Sequence, residues 1–214
     1  MWFFKAFFYD ILMKTTEDAC LINWRRELLK NISGKVLEIG AGTGASLDLY
    51  PKSRAIEIFL SEPDKNMRQE LVRKVNVSGY KNITVLTCPA EKIESDDDKF
   101  DFVFVSLVCC SVTNIKDTLF EIKRVLKPDG RFIFLEHVAA KHGTNRRKWQ
   151  NRLNGLWRIL AGNCHLNRET ERLILEAGFT ISEIKYERMR KTRGLVLPTI
   201  RGVAKPYLQI RKSD

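Results

Sequence analysis

Three glycines at every second position, Gly40, Gly42 and Gly44, follow the apolar run Val36-Leu37-Glu38-Ile39. That spacing ends a buried strand in a turn whose backbone can approach a ligand where any side chain would clash. A helical pattern over Gly44 to Tyr50 comes next, so the same loop would also lie at a helix N-terminus, with its amides aimed at the ligand. Gly40, Gly42 and Ala45 satisfy the dinucleotide pattern as well, since its third glycine can be alanine. The glycines alone therefore fit two cofactor classes, and Glu38 separates them. A carboxylate two residues before the first glycine would repel a pyrophosphate, but it suits the sulfonium and ammonium groups of S-adenosylmethionine. The competing role for Glu38 is a strand-end carboxylate facing solvent.

Ligands of open parallel sheets sit beyond the carboxyl ends of the strands, which makes the residues after each strand the next candidates. Glu62 closes the second strand about 20 residues beyond the glycine loop, where a carboxylate can accept both ribose hydroxyls. It could equally be a surface carboxylate at the turn before Pro63. Met67 is placed to lie against the adenine or in the core. In Cys88-Pro89-Ala90-Glu91 the Ala90 amide can reach a ring nitrogen, and Glu91 is expected to turn toward the following helix. With Ser106 and Leu107 after the fourth strand, the expected cofactor set is Glu38, Gly40, Ala41, Gly42, Gly44, Glu62, Pro63, Met67, Ala90, Glu91, Ser106 and Leu107.

On the acceptor side His137, at the end of the fifth strand, is the acid/base candidate, and its alternative is a histidine hydrogen-bonded at a strand end. Glu136 orients neighbours or is structural. Cys109 and Cys110 line an apolar pocket or serve as small hydrophobes. Cys164 and His165 fall in a loop before a helix that Asn167 could cap. No Cys-x-x-Cys pair occurs and the histidines do not fall at ligand spacing, so no metal site is expected. Methyl transfer needs a nucleophile held in line with the methyl in a dry site.

These residues need a frame that brings strand ends together. Strands are predicted at Lys35 to Ile39, Ala55 to Ser61, Ile83 to Thr87, Phe100 to Ser106 and Arg131 to His137. Helices are predicted near Gly44 to Tyr50, Lys65 to Val75 and Ile115 to Leu126, with Lys127-Pro128-Asp129-Gly130 as the turn into the fifth strand. Helical patterns follow at Arg146 to Leu160 and Arg168 to Ala177, then strands at Thr180 to Arg188 and Thr199 to Ala204 that can pair as an antiparallel edge hairpin. The alternation implies an α/β fold, a doubly wound, mainly parallel seven-stranded sheet in a single domain.

The chain has 214 residues, suits one domain, and carries a net charge of +11. Its five cysteines form no disulfide framework of a secreted protein, which argues for a reducing, intracellular compartment. The basic excess collects late, around Arg146, Arg147, Lys148, Arg152 and Arg158 beside Trp149 and Trp157, a mixture that suits an anionic membrane or nucleic acid. An Asn/Asp-Pro-Pro-aromatic loop, used on exocyclic base amines, is replaced here by Ser106-Leu107-Val108-Cys109, which speaks against nucleic acid. The aromatic stretch Met1 to Lys14 is interrupted by Lys5 and Asp10 and falls short of the roughly 20 residues of a spanning helix. Within a helical segment over 1–32 it acts as a lid over the site or lies in a membrane interface, and Leu21, Trp24 and Leu28 recur at helical spacing behind it.

Glu38 through Gly44, Glu62, and Arg124-Val125-Leu126-Lys127-Pro128-Asp129-Gly130 together resemble class I S-adenosylmethionine-dependent methyltransferases. The resemblance extends through Leu107 to Val112, Glu136 to Ala140, Trp149-Gln150, Cys164 to Glu169, and Leu195 to Lys205. Those segments are similar to the animal methyltransferase-like proteins that methylate small alkyl thiols on microsomal and lipid-droplet membranes. The resemblance implies S-adenosylmethionine as donor, S-adenosylhomocysteine as product and a small apolar thiol as acceptor. It further implies a monomer, cytosolic or peripheral on the cytosolic face of endoplasmic reticulum or lipid-droplet membranes. Family members begin with a long apolar anchor and usually carry cysteine where this chain has Ala41. Other acceptors, methylated at O, N or C, and a non-catalytic membrane adaptor are the alternatives.

Overall fold

The computed structural model describes residues 13–52, 56–192 and 194–207. The expectations for residues 1–12 and for Ala55 lie outside that set. Seven strands form one sheet: β1 (Gly34–Ile39), β2 (Ile56–Ser61), β3 (Ile83–Leu86), β4 (Phe100–Ser106), β5 (Leu126–His137), β6 (Phe179–Arg188) and β7 (Pro198–Pro206). Their order is β3-β2-β1-β4-β5-β7-β6. The first five run parallel, and β7 lies antiparallel between β5 and β6, which makes the edge hairpin expected from the sequence.

Among the described residues the sheet is flanked by α1 (Ile22–Leu29), α2 (Lys65–Val77), α3 (Ile115–Val125), α4 (Asn145–Leu160) and α5 (Thr170–Glu176). The parallel strands are covered on both faces, so they read as almost continuous apolar runs, with alternate residues parting to opposite sides. Leu37, Ile39, Val103, Val105, Phe132 and Phe134 pack with Leu119 and Ile122 of α3. Val36, Ile58, Leu60, Phe104 and Ile133 pack with Leu29 of α1 and Leu71 of α2. The chain leaves β1 toward β2 and β3, then returns to lay β4 on the other side of β1. That reversal opens a crevice above the carboxyl ends of β1 and β4, and the glycine loop hangs there.

Two local expectations change. The helix predicted from Gly44 to Tyr50 is only a 3-10 turn at Leu47–Leu49. Pro51 disfavours helical geometry at the residue before it, and Tyr50 is extended, with φ −69° and ψ 142°. The loop is therefore not followed directly by an α-helix. Nor does β5 wait for a turn to finish. Leu126 already pairs with Phe100, and residues 127–130 bulge out before Arg131 resumes the ladder opposite Phe102. Pro128 has no N–H to give that ladder, which suits it to a bulge.

Candidate active site

The end of β1 and the end of β2 are tied together by backbone. The Ala41 amide donates to the Ser61 carbonyl at 3.0 Å, and the Gly44 amide donates to the Ala41 carbonyl at 2.9 Å. Gly40 and Gly42 take φ of +66° and +58°, in the left-handed region that other residues enter only at a cost. A Cβ on Gly40 would meet Val108 Cγ2 at 2.6 Å, whereas one on Gly42 would meet nothing within 4 Å. Gly40 is thus fixed by packing, while Gly42 faces open space.

That space is a cavity of about 170 Å³. One wall is Glu38, Gly40, Ala41, Gly42 and Ser46; the other is Met13, Glu17, Arg25 and Ser106. Glu38 is 4% exposed and accepts a 2.6 Å hydrogen bond from the Tyr50 hydroxyl, so it lines the cavity instead of facing solvent. Burial raises its pKa above the usual carboxylate range, against the opposing hydrogen bonds from Tyr50 and Ser46. Glu62 accepts from the Gly42 amide through Oε2 at 2.8 Å and from the Asp64 amide through Oε1 at 2.9 Å. Each oxygen is anchored and keeps a further lone pair for a ligand. Burial raises this pKa too, and the Asp64 and Gly42 amides oppose it.

The other strand-end residues sit farther out. Pro63 is exposed and Met67 is half-buried in the first turn of α2, beside the Asp64 carboxylate that accepts from the Asn66 and Met67 amides. Ala90 is buried. Glu91 does turn toward the following helix, where it accepts from the Thr113 and Asn114 amides at 2.8 and 3.3 Å, just before α3. Leu107 takes φ of +60°, an uncommon state for a leucine, and its amide donates to the Leu135 carbonyl at 2.8 Å.

Glu136 organises the loop after β4. It is fully buried, and its carboxylate accepts from the amides of Val108 and Cys109 at 2.9 Å and of Cys110 at 3.3 Å. Burial pushes its pKa up to about 6 in spite of those amides. His137 is 4% exposed; its Nε2 lies 2.9 Å from Cys164 Sγ, and its Nδ1 is buried without a partner. The Cys110 thiol interacts with Cys164, which pushes Cys110 up and, with help from His137, brings Cys164 well below the ordinary thiol range. The loop carrying Cys164 is stapled to the one carrying Cys110. The His165 amide donates to the Cys110 carbonyl at 2.8 Å, Asn163 Nδ2 donates to the Ser111 carbonyl at 2.9 Å, and Arg168 reaches the Cys109 and Val112 carbonyls. Asn167 caps no helix; its side-chain Nδ2 donates to Asn151 Oδ1, and Glu169 holds the N-cap position of α5.

A family described as methyltransferase domain matches residues 37–134. The thiol S-methyltransferase TMT1A of Homo sapiens is 31% identical over 95% of this chain and 87% of its own length. The human thiol S-methyltransferase TMT1B is 34% identical over 77% of this chain and 70% of its own. The chain belongs to the TMT1 thiol S-methyltransferase family. It is an S-adenosylmethionine-dependent methyltransferase. Its fold matches that of a Thermotoga maritima crystal structure described as an S-adenosylmethionine-dependent methyltransferase, possibly a histamine N-methyltransferase, with a TM-score of 0.67 and 17% identity over 97% of this chain and 98% of the other.

Sequence reasoning passed over Arg25 and Glu17. Arg25 is 4% exposed, and its guanidinium donates to Ser106 Oγ at 2.9 Å and pairs with Glu17. The signal was present, because Arg25 falls on the same stripe as Leu21, Trp24 and Leu28, where a cation has no business unless it meets a partner.

A cationic cofactor held beside the raised Glu38 and Glu62 carboxyls would bind with proton linkage. In the free protein, their contribution to stability is present below the ordinary carboxylate range and is lost as pH rises through their raised values. The sulfonium and ammonium of the cofactor favour the ionised forms. S-adenosylmethionine affinity should therefore fall as pH drops from neutral into the weakly acidic range. Calorimetry in buffers of different ionisation enthalpy should show proton release on binding there.

Proposed function

We propose that this methyltransferase moves the methyl of S-adenosylmethionine to the sulfur of a small, apolar alkyl thiol, as a monomeric single-domain enzyme held peripherally on the cytosolic face of endoplasmic reticulum or lipid-droplet membranes. The observation that carries the acceptor is the match to TMT1A over nearly the whole chain, because both human relatives are named as thiol S-methyltransferases. The acceptor side is compatible with it. His137 is engaged with a thiol instead of standing free as a base, and a thiol acceptor is acidic enough to need little help.

In this reading Glu62 takes the ribose hydroxyls, Glu38 sits in the field of the cofactor's positive charges, and the Gly40–Gly44 backbone passes beneath the methionine portion. Met67 and Ala90 border the adenine, and Ser106 and Leu107 border the transferred methyl. Met13, Glu17 and Arg25 line the cavity, which supports the lid role for the N-terminal helix. The sulfur lone pair attacks the methyl carbon as the bond to the sulfonium breaks; the acceptor's proton leaves to solvent, and S-adenosylhomocysteine departs neutral at sulfur. Release of S-adenosylhomocysteine across a panel of thiols, phenols, amines and RNA tests this. Turnover should be confined to thiols and be fastest with small apolar ones. Turnover with the other classes and none with thiols would refute it.

The membrane reading rests on α4. Trp149, Leu156, Ile159 and Leu160 are exposed among Lys148, Arg152 and Arg158. No helix among the described residues is long and apolar enough to cross a membrane; the exposed apolar and basic residues of α4 suit an interfacial contact. Co-sedimentation with phosphatidylserine vesicles should drop several-fold on replacing Leu156, Ile159 and Leu160 with serine and should weaken with salt. Equal binding by the variant would assign the contact elsewhere.

A further inference from the structure

Cys110 follows β4, His137 ends β5, and Cys164 lies between α4 and α5, yet one ligand atom from each lies within 4.8 Å of the other two. Cys110 and His137 are buried and Cys164 is partly so. A tetrahedral zinc ion with its usual bond lengths sets sulfur and nitrogen edges of about 3.6 to 3.8 Å, so His137 Nε2 and Cys164 Sγ, now 2.9 Å apart, would open by about 0.7 Å to share it. We propose that Cys110, Cys164 and His137 form a site for a thiophilic divalent cation, zinc, whose fourth position takes an exogenous alkyl thiolate. The last part rests on the thiol acceptor reading; the three-residue site does not.

Three features support it. Two sulfurs and one imidazole form the donor set that selects zinc over harder ions, and three protein donors leave one position for an outside ligand. The frame is fixed without the ion: the Cys110 amide is held by Glu136, and the Cys164 loop is pinned to the Cys110 loop by His165 and Asn163. His137 turns Nε2 toward Cys164, so in the tautomer with the ring proton on Nδ1 the Nε2 lone pair is aimed into the site. Filling the site displaces one proton from each coordinating thiol, and an entering alkyl thiol gives up its own as it binds. The zinc stays divalent throughout, and no oxidant or reductant is needed.

Cobalt titration of chelator-stripped full-length protein tests the proposal directly. One equivalent of Co²⁺ should give a sulfur-to-cobalt charge-transfer band, and 2-mercaptoethanol should raise it by about half as two sulfur donors become three. The band should vanish in the double variant Cys110→Ser, Cys164→Ser. S-adenosylmethionine binding and circular dichroism verify that this variant folds; if it does not, zinc protection of Cys164 from alkylation in the wild-type protein gives the same information. Absence of a band, absence of protection, or a band that survives the double substitution overturns the site. A band indifferent to the added thiol overturns the open fourth position. Thiol methylation by metal-free protein would reject the catalytic use of the ion and leave the acceptor reading standing. A cobalt site without any thiol methylation would do the reverse.

Discussion

Gly42→Arg should abolish S-adenosylmethionine binding while the protein stays folded. At φ +58° an arginine costs about 1–2 kcal/mol of stability. Its Cβ would meet no atom within 4 Å, so the fold has room for it. The room opens on the cavity that Gly42 and Glu38 line, and a guanidinium there brings both bulk and a positive charge to the place proposed for a cationic cofactor. A loss of about 100-fold or more in affinity is expected, close to 3 kcal/mol. Gly40→Ala gives the informative contrast: its Cβ would sit 2.6 Å from Val108, so it should lower the melting temperature before it touches affinity. Calorimetry and thermal melting on the two variants separate these outcomes, and unchanged affinity in Gly42→Arg would mean that the cofactor lies elsewhere.

Glu136→Ala should cost about 3 kcal/mol of stability and most of the turnover. Three amides, those of Val108, Cys109 and Cys110, spend their hydrogen bonds on one fully buried carboxylate. Deleting it leaves them unpaired, at about 1–3 kcal/mol each, partly offset because a buried carboxylate no longer has to be desolvated. The loop that carries the strained Leu107 and Cys110 then keeps its ties to Leu135, Asn163, His165 and Arg168 but loses the carboxylate that gathers its three amides. Glu136→Gln should fall between, since one amide oxygen can still accept while its NH₂ faces a donor. The expected pattern is a loss in kcat larger than the loss in S-adenosylmethionine affinity, because the Gly40–Gly44 loop hangs from β1 and not from β5. Equal losses in both would make Glu136 a general structural support.

The inner parallel strands were legible because both of their faces are buried. Apolar runs such as Phe102 to Val105 and Phe132 to Leu135 identify inner strands without any alternation to parse, and the glycine loop marks the switch point next to β1. The position of Glu38 and Glu62 beside that loop was legible from their spacing to it. The 3-10 turn at Leu47–Leu49 was misread because the pattern of Leu47 and Tyr50 fits a helix while Pro51 ends it. Arg25 was missed as one more cation in a basic chain, although its stripe was apolar. The Cys110, His137 and Cys164 group could not be read from spacing at all, since 27 residues separate each from the next and only the return of α4 and the β5 end brings them together. Charge on α4 was visible in the sequence, but which of its apolar residues remain uncovered is a matter of tertiary packing.

The most direct test tracks the methyl group itself. The protein is incubated with S-adenosylmethionine carrying a deuterated methyl and an equimolar mixture of a small alkyl thiol, a phenol and a primary amine, and the products are weighed by mass spectrometry. The label should appear as the thioether, with S-adenosylhomocysteine in equal amount, and Gly42→Arg should yield neither. Label on the phenol or the amine, with the thiol unchanged, would contradict the account.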